Sequence, residues 1–125
     1  MAFLDKYQAQ LLGLLRIVAG LLFLEHGTMK LFGFPAPMGE HLPALMIAAG
    51  IIEVVGGALI VVGFFSRIAA FICSGEMAVA YWMWHVGHSG IFWPSLNDGD
   101  GAILFCFVFL YLAASGPGAW SLNKR

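Results

Sequence analysis

Charge is scarce in this chain. Only 10% of its residues are Asp, Glu, Lys or Arg, against about 25% in a typical soluble domain. Basic residues are scarcer still, six against seven acidic ones, so there is no basic stripe to displace counterions from phosphates, and nucleic acid is excluded as a partner. The two cysteines, Cys73 and Cys106, show no CxxC spacing. With no iron–sulfur cysteine set, no haem motif and no dinucleotide fingerprint, the chain has no intrinsic electron carrier. No HxxxH or ExxH pair lies on an apolar stretch, so no metal site is expected.

What is there is apolar. Hydrophobic residues make up 61% of the 125 residues and the mean hydropathy is +0.89. A membrane crossing takes about 20 mostly apolar residues, so four crossings consume most of the chain. Spans are expected at about 10–31, 42–65, 68–88 and 101–115. They read as one domain, 1–125, an all-α membrane protein folded as an antiparallel bundle of four transmembrane helices. No small-residue cleavage pattern follows the first apolar run, so it is expected to be retained. Pro35, Pro37 and Gly39 break the chain after the first span, and Ser66 with Arg67 is expected to form a tight turn after the second. The fourth span is short for a full crossing. Lys6, Arg67, Lys124 and Arg125 all fall on the side that holds both termini, which the positive-inside rule places in the cytoplasm.

The unusual stretch is 21–34, LLFLEHGTMKLFGF, where Glu25, His26 and Lys30 interrupt an apolar helix. An ionisable group at the bilayer centre costs about 2.5–3.5 kcal/mol on insertion scales, so each needs a partner, a wet cavity or a place near the interface. At 100° per residue Gly13, Gly20 and Gly27 share a stripe, and Arg16 lies near it. Small residues admit a close neighbour, so this face is expected inside the bundle. Gly50, Gly56 and Gly57 flank Glu53 in the same way on the second span. By helical rise Arg16, Glu53 and Glu76 reach similar mid-depth on three helices and are expected to form a buried cluster, in which two carboxylates beside one cation do not both ionise easily. Glu25, His26, Lys30, His85 and His88 come out as a wetter outer layer, beside the loop holding Asn97, Asp98 and Asp100. Nine residues separate Glu76 from His85, which places them on opposite faces of a regular helix.

The segments HGTMKLFGF (26–34), GIIEVVGG (50–57), GFFSRIAA (63–70), GEMAVAY (75–81) and NDGDGAILFCFVFLYLAASGPGAWSL (97–122) resemble, in order, those of the DoxX family of bacterial membrane proteins. The resemblance implies a multi-pass protein of the bacterial inner membrane. Recurring polar positions of the family correspond to Glu25 or His26, Lys30, Glu53, Arg67, Glu76 and Asn97. The chain departs from the pattern at Asp100, where a glutamate is usual, and at Ala119, where a basic residue often stands. Family members are associated with quinol oxidase, thiosulfate:quinone oxidoreductase and redox-defence complexes. The resemblance therefore implies an accessory membrane subunit of a quinone-linked oxidoreductase, with a quinone as its ligand, a redox partner supplying electrons and buried acids handling protons. The rings of Phe105, Phe107, Phe109 and Tyr111 would suit a flat apolar ligand beside a polar pocket. Two alternatives stay open on the residues alone. One is a transporter or binding protein for a small molecule or proton, assembled as a homo-oligomer; the other is a structural subunit whose charges serve assembly.

Overall fold

The computed structural model describes residues 1–125 and is helical throughout, with no strand. A one-turn helix, Ala2–Asp5, precedes α1, Gln8–Phe32. α1 ends at Gly33, whose φ of 67° is a left-handed cap that β-carbon-free glycine adopts without strain. A loop containing Pro35 and Pro37 leads to α2, Ala44–Val62, which starts directly after Pro43. The reversal that follows lies at residues 63–65, one turn earlier than expected. Gly63 and Phe65 carry its positive φ values, and Ser66 and Arg67 already belong to α3, Ser66–Ala80. α3 does not stop at Ala80. It winds on as a π-helical stretch, Tyr81–Val86, and a last turn, Gly87–Ser89, giving a helical path over 66–89. A short turn, Pro94–Asn97, precedes α4, Asp100–Ser115.

α1 and α2 pack antiparallel through glycines. A β-carbon on Gly27 would lie 2.7 Å from the Val54 nitrogen, and one on Gly57 would lie 3.0 Å from Leu24 Cα. The seam expected from glycine spacing is therefore a backbone-to-backbone contact, the kind that stabilises helix pairs where lipid supplies no hydrophobic drive. α3 and α4 form a second antiparallel pair. The Ser74 hydroxyl donates to the Cys106 carbonyl at 2.7 Å, and Arg67 Nη1 donates to Ala113 and Ala114 carbonyls at 3.3 and 2.8 Å, satisfying the free C-terminal end of α4. Between the pairs, Phe23 of α1 meets Phe105 and Phe109 of α4 with ring centroids 5.5 and 4.9 Å apart. The α2–α3 contact is much looser than the contacts within either pair.

The tail, 116–125, turns back across the helix ends. Ala119 N donates to the Ala9 carbonyl, Leu122 N to Val62 and Asn123 N to Gly63, at 2.9, 3.1 and 3.1 Å. Both ends of the chain, with Lys6, Arg67, Lys124 and Arg125, thus gather at one end of the molecule. Outward, the helices show large apolar side chains such as Leu14, Val18, Ile51, Phe71, Leu104 and Phe107. α1 and α2 are each long and apolar enough to cross a membrane.

Candidate functional site: a polar cavity among four helices

A cavity of about 300 Å³ lies where all four helices meet. α1 lends it Phe23, His26 and Lys30; α2 lends Met46, Ala49 and Glu53; α3 lends Glu76, Met77, Ala80, Trp84 and His85; and α4 lends Gly101, Ala102 and Phe105. Met38 and Asp98 reach it from the loops.

Its centre is an ion pair. Lys30 Nζ donates to Glu53 Oε1 at 2.6 Å, with 9% of the lysine side chain and 1% of the glutamate exposed. Sequence reasoning paired Glu53 with Arg16 and set Lys30 in the outer layer; the structure exchanges the two cations. The cause is the tilt of side chains toward the N-terminus of their own helix. On α1 that direction leads Arg16 away from the cavity and Lys30 into it. On the antiparallel α2 it leads Glu53 toward Lys30. Arg16, fully buried, instead donates to the carbonyls of Pro117, Ala119 at 3.0 Å, Trp120 at 2.8 Å and Val61 at 3.4 Å. It clasps the tail and takes no part in the cavity.

Glu76 stands in the same cavity with both carboxyl oxygens buried and neither hydrogen-bonded. Of the expected cluster, Glu53 and Glu76 share the site and Arg16 does not.

His85 is brought beside them against expectation. A π-helix closes i to i+5 hydrogen bonds, so each turn takes up about one more residue than an α-turn. Winding at that slower pitch over 81–86 turns His85 from the opposite face toward the cavity that Glu76 also lines. His85 Nδ1 lies 3.1 Å from the Asn97 carbonyl, and His26 Nδ1 lies 2.7 Å from the Leu22 carbonyl. A carbonyl only accepts, so both rings carry their hydrogen on Nδ1, and Nε2 is the atom left to take or give a proton. The His26 ring also stands edge-on to Phe105, centroids 5.7 Å apart.

The remaining outer-layer residues divide. Glu25 and Asp100 are exposed and do not line the cavity. Asn97 is buried but organises its loop: Nδ2 donates to the Ile91 carbonyl at 2.8 Å and Oδ1 accepts from Gly99 N at 2.9 Å. Tyr81, the first π-helical residue, donates from its hydroxyl to the Phe92 carbonyl and pins the same loop. His88 packs on Trp84 outside the cavity. Sequence reasoning missed Asp98 as a lining residue. Its left-handed backbone, φ 60°, was foreshadowed by the Asn-Asp-Gly sequence, since Asp tolerates that region better than most residues. No group of three or more His, Cys, Asp or Glu side chains is placed to hold a metal ion.

The DoxX family profile matches residues 11–86, which include His26, Lys30, Glu53, Glu76 and His85. The chain belongs to the DoxX family. This DoxX protein is 42% identical over 127 residues to an uncharacterized protein of Haemophilus influenzae, the match covering 98% of this chain and 95% of the relative. It is 33% identical over 133 residues to inner membrane protein YphA of Escherichia coli, covering 92% and 89%. An uncharacterized membrane protein of Mycobacterium tuberculosis is 29% identical over 128 residues, covering 89% and 78%. No solved structure matches it. As a DoxX membrane protein it turns its outer apolar side chains to lipid, so the cavity sets a few charged groups among apolar walls in a hydrocarbon setting.

Proposed function

We propose that this DoxX protein is a multi-pass inner-membrane subunit that holds a quinone in the central cavity and exchanges protons with it. On this reading all four helices cross the bilayer. The helical path over 66–89 has the length of a span once its π-helical stretch is included, and the α4 segment, 16 residues long, crosses where the bilayer is locally thin. The basic end that gathers both termini then faces the cytoplasm.

The observation that carries the reading is the composition of one cavity. Flat apolar walls from Phe23, Trp84 and Phe105 stand beside the Lys30–Glu53 pair, the unpartnered Glu76 carboxyl and two imidazoles whose Nε2 atoms are uncommitted. Aromatic walls suit a flat ring, and a few convergent polar groups fix its orientation. Lys30 and a charged imidazole donate hydrogen bonds to ring oxygens; Glu76, His26 and His85 take up and release protons. A bound quinone supplies the redox chemistry, and its two electrons come from a partner protein that carries a redox centre. Intramembrane ionisable residues that face a bundle interior commonly mark such proton paths.

The test is purification in mild detergent, followed by solvent extraction and mass spectrometry of bound small molecules, with titration of added quinone onto the stripped protein. Stoichiometric quinone, or saturable binding weakened in Glu76→Gln and His85→Ala, supports the reading. Protein that carries only phospholipid and binds no added quinone overturns it, and proton or solute flux in liposomes would then favour transport.

A further inference from the structure

A second hollow, about 500 Å³, runs along the outside of the molecule between α2 and α3. Apart from Glu76 and His88 its lining is apolar or small, with Leu45, Ala48 and Ile52 on one wall and Ile72, Gly75, Val79 and Met83 on the other. From Leu45 to Ile52 it extends for about 10 Å of helical rise. It shares Met46, Ala49, Glu76, Ala80 and Trp84 with the central cavity, so these residues form a common wall between a chamber that holds charged groups and an apolar trough.

Each of the other seams is bridged by specific contacts, although α1 and α4 touch over a shorter stretch than α2 and α3 do. Glycine contacts bring α1 against α2, Ser74 and Arg67 tie α3 to α4, and the Phe23, Phe105 and Phe109 rings fill the space between α1 and α4. The α2–α3 seam is where the chamber adjoins an outward-facing hollow. At its middle a β-carbon on Gly75 would meet nothing within 4 Å.

We infer that the ligand enters laterally from the bilayer between α2 and α3, and that it is a long-chain quinone whose ring occupies the central cavity while its hydrocarbon chain lies in the α2–α3 trough. This rests on the quinone reading and adds its route and the class of quinone. The chemistry follows the change of lining along the path. A compact ring with hydrogen-bonding oxygens matches the chamber, and an apolar chain matches the trough. Glu76, lining both, is the ionisable group that stands at the passage from trough to chamber. Binding along this path is a rearrangement of apolar contacts and hydrogen bonds, with no covalent step.

The experiment uses the full chain in lipid nanodiscs and follows quenching of tryptophan fluorescence, to which Trp84 contributes. Two probes are titrated, a benzoquinone bearing a decyl chain and the same ring without it. The variants are Gly75→Leu and Val79→Phe, which fill the trough from an open position and from a side chain 53% exposed. Leu104→Phe, on the lipid-facing side of α4 outside both hollows, is the control. In both trough variants the tailed quinone should bind about tenfold more weakly, equivalent to about 1.4 kcal/mol, with binding of the tail-less ring and the behaviour of the control unchanged. Equal binding of the tailed quinone to wild type and both variants overturns the lateral route while leaving the cavity reading intact. So does a parallel loss of both probes, since the trough residues would then act on the ring's site and give the chain no seat of its own. Failure of both probes to bind wild type overturns the quinone reading and this inference together.

Discussion

Lys30 and Glu53 face each other across the α1–α2 seam at 2.6 Å because their helices run in opposite directions and each side chain leans toward the start of its own helix. Gly27 and Gly50 make the approach possible. A β-carbon on Gly50 would lie 3.0 Å from Lys30 Cβ, and one on Gly27 would lie 2.9 Å from Glu53 Cβ. Charge pairing and close packing are thus two aspects of one contact.

Breaking that pair from one side should be far worse than removing it. Lys30→Met or Glu53→Leu leaves a buried charge without its partner, at an expected loss of about 3–5 kcal/mol, whereas the double variant replaces both charges with apolar groups and should recover most of the loss. Unfolding in detergent of wild type, both single variants and the double variant measures the coupling. Additive losses would show that the pair contributes nothing as a pair.

The glycines divide into two kinds that substitution should separate. Gly27→Ala forces α1 from α2 and should destabilise by about 1–3 kcal/mol, as overpacking does. Gly75→Ala places its methyl in open space and should instead stabilise the helix by about 0.5–1 kcal/mol. Melting temperatures of the two variants in one detergent should move in opposite directions.

Arg16→Met should loosen the tail and leave the cavity alone. The carbonyls of Pro117, Ala119 and Trp120 would lose their donor, and hydrogen bonds from charged groups are each worth about 1.5–3 kcal/mol. Hydrogen exchange should accelerate at the amides of Ala119, Leu122 and Asn123, which now bond to Ala9, Val62 and Gly63. Amides in the middle of α2 should keep their protection. Acceleration of α2 to the same extent would mean that Arg16 supports the whole fold.

The two cysteines should differ in reactivity. Cys73 is 1% exposed beneath Gly56, whereas Cys106 is only half-buried, with its sulfur 3.6 Å from the Ser74 hydroxyl. A membrane-permeant alkylating reagent should modify Cys106 first, and peptide mapping over time would show the order. Simultaneous modification would indicate that α2 and α3 open together.

Helix positions and the glycine seam were legible in the sequence because apolar runs and seven-residue glycine spacing are properties of the chain read along one helix. Partner choice was not. Counting rise placed Arg16 and Glu53 at similar depth, but depth locates Cα atoms, and a long side chain ends about a turn away in a direction set by the sense of its helix. That His85 and Glu76 line one cavity was hidden for a different reason, since a regular wheel cannot show a π-helical stretch. The tail clasp had no signature because its acceptors are main-chain carbonyls, which every residue possesses. Glu53 and Glu76 were recognisable as inward-facing because each stood alone in an apolar helix.

The Arg16 clasp also bears on how the protein is made. Its acceptors on the tail lie 101 to 104 residues further along the chain, so at about 5–20 residues per second they emerge roughly 5–20 seconds after Arg16 does. Throughout that interval a nascent first helix presents a guanidinium to the insertion machinery with no tail to receive it. Val61 brings the first of its final acceptors, with α2. The tail carbonyls arrive last of these acceptors, so the clasp closes only after all four helices have been made and acts as a latch upon them.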